Sequence, residues 1–157
     1  MPRHLLLFLS LLIFQYLAIG QGTKQILPAF NPTGTYKLNS KTYIRHGETY
    51  GYNGRVRVKL ISPDQIAVSL YICIGAPSYN SGTLVDTLLY RHNRAMYHPG
   101  DDTTCRISFY FTDKGLTVNQ ARKNLYSGCG FGFKVFADGY YKKVSGRVPV
   151  IKDESKD

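Results

Sequence analysis

The chain has no tryptophan, only ten acidic residues, four histidines and three cysteines. Each shortage excludes something. The few carboxylates sit mostly in turn-like contexts, so no glycosidase-type pair stands out. His98 with Asp101 and Asp102 is the nearest approach to a cation site, but it lacks the spaced oxygen ligands of a calcium loop. No second histidine stands at zinc spacing. No nucleophile elbow and no Ser/His/Asp order is visible. The sequence therefore predicts a non-enzymatic protein without metal or cofactor. Past residue 20 no apolar run is long enough to cross a bilayer, so no transmembrane segment is expected in the mature chain. No amphipathic helix is visible there either, beyond one turn at Gln120–Leu125.

The first twenty residues are a different kind of segment. Arg3 and His4 open it, Leu5–Ile13 is apolar, and Ala18-Ile19-Gly20 is a small-residue exit. That pattern predicts a secretory signal peptide over 1–20 and an exported protein, periplasmic or extracellular. Residues 21–33, with Pro28 and Pro32, read as an N-terminal leader. Residues 34–151 read as one domain, and 152–157 as a disordered charged tail.

What is abundant is positive charge and tyrosine. Twenty Lys and Arg give a formal net charge of +10, and there are 13 Tyr and 8 Phe. A basic exported protein is drawn to anionic surfaces. Tyrosine favours strands and wet contact surfaces.

From Gly34 onward the pattern is β. Val56, Val58 and Leu60 alternate with Arg55, Arg57 and Lys59, Ser62–Gln65 turns, and Ile66, Val68, Leu70, Ile72 and Ile74 line the answering strand. Leu84–Tyr90 and Ala95–Tyr97 make a second hairpin around Arg91–Arg94. Ile107, Phe109 and Phe111 pair with Leu116 and Val118 through Asp113-Lys114-Gly115. Phe131, Phe133 and Val135 are expected to pair with Tyr140–Val144. Short turns between consecutive strands predict an all-β fold. It is a single antiparallel meander of about eight strands, closed into a small barrel or sandwich.

Strand parity also sorts the cysteines. Cys105 shares a face with Ile107, Phe109 and Phe111, and Cys129 shares one with Phe131, Phe133 and Val135. Both point to the core, whereas Cys73 alternates with Ile72 and Ile74 and faces away. A Cys105–Cys129 disulfide is expected in an exported protein, with Cys73 left as a free, half-buried thiol.

Two surfaces are candidates for binding. Arg55, Arg57 and Lys59 place three cations on one strand face, about 7 Å apart, suited to an anionic glycan. The competing reading is protection of an exposed strand edge. Tyr140, Tyr141, Lys142 and Lys143 form a second basic, aromatic cluster. The loop Gly75–Gly82 carries Ser78, Tyr79, Asn80 and Ser81, suited to insertion into the cleft of a protein partner. Gly130–Phe136 looks like the first signature of RNA-recognition domains. Cys129 and Lys134 break that signature and the two packing helices are missing, so no nucleic-acid partner is expected.

The runs Ser127-Gly-Cys-Gly-Phe-Gly132, Ala137-Asp-Gly-Tyr-Tyr-Lys-Lys143, Cys105-Arg-Ile-Ser-Phe109 and Ala76–Gly82 resemble a group of small exported bacterial β proteins. More distantly, the layout is similar to bacterial lysozyme inhibitors, which carry a Ser-Gly-x-x-Tyr motif. Ser81-Gly82 and Ser127-Gly128 match its first half, with Val85 and Phe131 in the tyrosine position. The resemblance implies inhibition of a lysozyme-type hydrolase by loop insertion. The alternative is an envelope or matrix protein that binds anionic glycan through its basic strand face.

Overall fold

In the computed structural model, residues 30–100, 104–121 and 129–153 are described. The expected signal peptide, Asp101, Asp102 and the Ser127-Gly128 pair lie outside these residues, as do most of the leader and most of the tail. Among the described residues nine strands follow one another: β1 (Gly34–Leu38), β2 (Tyr43–Arg45), β3 (Glu48–Ser62), β4 (Gln65–Gly75), β5 (Ser81–Arg91), β6 (Arg94–Tyr97), β7 (Ile107–Phe111), β8 (Gly115–Gln120) and β9 (Gly139–Ser145). Every pairing is antiparallel, and β9 returns to β1 while β1 pairs with β3. Eight strands thus close into a barrel, and β2 is an extra strand on the long β3.

Closure follows from the alternation. Val56, Val58, Ile66, Val68, Leu70, Ile72, Phe109, Phe111, Leu116 and Val118 all point inward and are almost wholly buried. The interior is filled by side chains, with Phe111 meeting Tyr36 and Tyr90 edge-on. Three buried tyrosines keep their hydroxyls satisfied at the ends of this core. Tyr36 donates to the Pro32 carbonyl at 2.6 Å and Tyr90 to the Phe30 carbonyl at 2.8 Å. Together they strap residues 30–32 across one end of the barrel. Tyr141 donates to the Ala137 carbonyl at 2.9 Å near the other.

That other end differs from expectation. Phe131–Val135 is not a strand. It is an irregular segment that packs over the barrel end, with Phe131, Val135 and Ala137 buried and Phe133 40 % exposed. The cause is a chain reversal: Lys134 sits at φ 62°, and the Val135 amide donates to the Gly132 carbonyl. β9 instead finds its partners in β8 and β1. Gln120, buried, accepts the Ala137 amide on its Oε1, and Asp138 accepts the Gln120 amide.

The Cys105–Cys129 disulfide is present and Cys105 is wholly buried. Cys73 is a free thiol, as expected, but fully covered where half-burial was predicted. It lies outside the barrel core, under the following loop, where its Sγ accepts the Gly75 amide.

Candidate functional site

Two neighbouring surfaces emerge, one on the barrel wall and one at its disulfide-bearing end. The wall is built from β9, β1 and β3. Register places Lys37 opposite Lys142 on one side and opposite Arg55 on the other. Directly paired residues on adjacent strands lie about 5 Å apart, so three cations form a row across three strands. Arg57 and Lys59 continue along β3 at about 7 Å intervals. Over Arg55–Val58 the strand is paired with β4 and with β1 at once. Arg55 and Arg57 therefore do not guard a sheet edge, whereas Lys59, beyond the last β1 pair, has a ladder partner only in β4.

The second basic cluster does not hold together. Tyr141 is core and Lys143 turns to the inner face, where its ammonium lies 5.1 Å from the Phe30 ring and 5.5 Å from the Tyr36 ring. Burial there pulls the Lys143 pKa down. Only Lys142 and Tyr140 of that cluster are left facing outward, and Lys142 joins the row with Lys37 and Arg55. A groove of about 600 Å³ opens beside Lys142, lined also by Asp113, Lys114 and Val144.

At the disulfide end, β2 and the start of β3 form a hairpin turned by His46-Gly47, both at positive φ. A bulge between Tyr50 and Asn53 shifts the parity of β3. Tyr50 pairs with Gly75 and Asn53 with Cys73, so Tyr50 lies on the same sheet face as Arg55. Tyr43, 60 % exposed, stacks on Tyr50 with ring centroids 5.1 Å apart and planes 6° from parallel. The Tyr50 hydroxyl donates to Glu48 at 3.3 Å. The phenol pKa values of Tyr50 and Tyr79 are both raised, by desolvation first and then by the Glu48 carboxylate.

The loop between β4 and β5 is held against this hairpin. The Ala76 amide donates to Thr49, the Tyr79 amide to Gly75 and the Ile74 amide to Asn80. Of the four loop residues expected to meet a partner, Ser78 and Tyr79 face solvent. Asn80 spends its side-chain amide on the Phe133 carbonyl at 3.1 Å, and Ser81 accepts the Gly132 amide at 2.9 Å. Asn80 and Ser81 are thus partly covered, beside the exposed Ser78 and Tyr79. Sequence reading missed Lys37, Tyr43 and Tyr50. The turn His46-Gly47 between two short polar-aromatic runs was the available signal for the hairpin.

Among the described residues no group of three or more His, Cys, Asp and Glu comes together as a metal set. His98 places Nδ1 2.9 Å from the Pro99 carbonyl. Among the described residues no helix is long and apolar enough to cross a membrane. No protein-family model, curated protein or solved structure matches this chain.

Proposed function

We propose that the chain is an exported, non-enzymatic binding protein that holds an anionic glycan on the β9–β1–β3 wall. The observation that carries this reading is the register row Lys142–Lys37–Arg55, continued by Arg57 and Lys59. Cations at strand spacing in two directions suit a polymer with a repeated negative charge. The exposed Tyr43 face, on the prolongation of β3, offers a sugar ring a flat apolar surface beside that charge.

A second reading has its own support. The Ser78–Ser81 loop is tied down on several sides while Tyr79 stays 47 % exposed, as a segment inserting into a hydrolase cleft would need.

One titration separates them. Binding to a soluble polyuronate is expected to weaken steeply between low and high salt. Lys37→Glu with Arg55→Glu should weaken it by roughly tenfold or more, since each reversed contact is of the order of 1 kcal/mol. Tyr79→Ala should change nothing. Glycan binding indifferent to the double reversal would end the wall reading. Salt-insensitive inhibition of a lysozyme, lost on Tyr79→Ala, would establish the loop reading instead.

A further inference from the structure

The far side of the barrel carries a different surface. Around the closed eight-strand ring, β6 lies as far from β1 as the ring allows, so the outer face of β5–β6–β7 is opposite the basic wall. Arg91 pairs directly with Arg94, and Arg94 with Tyr110. The next row holds Leu89, Met96 and Ser108, with Met96 opposite Ser108. Leu89 is 53 % exposed and Met96 52 %. A shallow groove of about 390 Å³ runs between the two rows.

Two arginines directly opposite each other on adjacent strands repel. The turn that joins them, His92-Asn93 at φ 50° and 61°, holds the strand ends together. Arg91 has an ion pair with Asp64 at 4.0 Å, with both side chains more than half exposed, and such a pair contributes little. Arg94 rests its guanidinium over the Tyr110 ring at 5.3 Å. Both guanidiniums are exposed on one face, so an anion brought against the row would meet both and relieve their repulsion.

The row beside it presents apolar surface, from Leu89 and Met96. Cations able to snorkel, an amphipathic tyrosine and two half-exposed apolar side chains, around a shallow open groove, are the composition of an interfacial surface. An enclosing cavity would suit a small ligand, and this shallow wall suits an extended plane.

We infer that the β5–β6–β7 face docks on an anionic lipid bilayer, with Arg91 and Arg94 on headgroup phosphates and Leu89 and Met96 dipping into the interface. This does not rest on the glycan reading, since it uses the opposite side of the molecule.

The test is co-sedimentation of the chain beginning at Gln21, which carries the whole barrel, with vesicles of phosphatidylcholine with or without phosphatidylglycerol. Binding is expected only with the anionic lipid. Leu89→Gln with Met96→Gln should lower the partition coefficient by roughly tenfold, as removal of two partly buried apolar side chains predicts. Arg94→Glu should lower it more than Lys37→Glu, and Arg94→Lys should retain most of it. All four positions are on the surface, and an unchanged melting temperature checks that each variant folds. Equal losses from Arg94→Glu and Lys37→Glu, with no loss from the Leu89/Met96 pair, would mean attraction by net charge alone and overturn the inference. Binding to an acidic protein but not to the vesicles would overturn it equally.

Discussion

Tyrosine illustrates how one residue type takes different roles here. Tyr36, Tyr90 and Tyr141 are buried donors to backbone carbonyls, and burial raises the pKa of all three, that of Tyr90 to about 12. An unfolded phenol ionises near pH 10. The folded chain therefore keeps protons that the unfolded chain sheds as pH rises above about 10. The stability this contributes is complete below the unfolded pKa and is lost as pH climbs towards the folded values. Urea denaturation from neutral pH upward should show a plateau followed by a decline. Tyr90→Phe should lower the plateau by about 1 kcal/mol, for the lost bonds to Phe30 and Asn93, and should make the decline gentler. Alternation placed Tyr90 in a strand from sequence alone. It did not show that Tyr141, next to Tyr140, is core while its neighbour is exposed. The pair Tyr140-Tyr141 reads the same in either order, and only the register with Leu116 and Leu38 orients it.

At the scale of elements, the three hairpins β3–β4, β5–β6 and β7–β8 were legible because each is local. Apolar alternation on both sides of a short turn is enough to specify them. The segment after Cys129 was not. Its Phe131, Phe133 and Val135 alternate like a strand, yet it caps the barrel end because β9 is already paired on both sides. Its docking depends on absent side chains. A Cβ at Gly82 would overlap the Phe131 ring, and one at Gly132 would crowd Asn80. Gly82→Ala should therefore cost about 1–3 kcal/mol, as overpacking does, measured by chemical denaturation. Gly47, at the β2–β3 turn, has nothing within 4 Å of such an atom, though its φ of +79° makes it a poor control.

For the whole molecule, the disulfide joins two connections at one end: the approach to β7 and the approach to β9. It spans 24 residues, and a loop of that length should contribute about 3 kcal/mol through the unfolded chain. Replacing Cys105 and Cys129 together by serine should lower the unfolding free energy by that order, read as a lower urea midpoint.

The sequence by itself determined the all-β class, an antiparallel fold of about eight strands and the disulfide pairing. It also determined which side of each hairpin is core, because alternation and turn chemistry act over a few residues. Tertiary structure alone decided what stands beside what. Lys37, Arg55 and Lys142 come from strands far apart along the chain, and only barrel closure through β1 brings them into one row. The same closure removed the sheet edge that Arg55 and Arg57 could have protected. It also set the Arg91–Arg94 face opposite the basic wall. Register between distant strands is fixed by how the filled interior closes, and no local pattern carries that information.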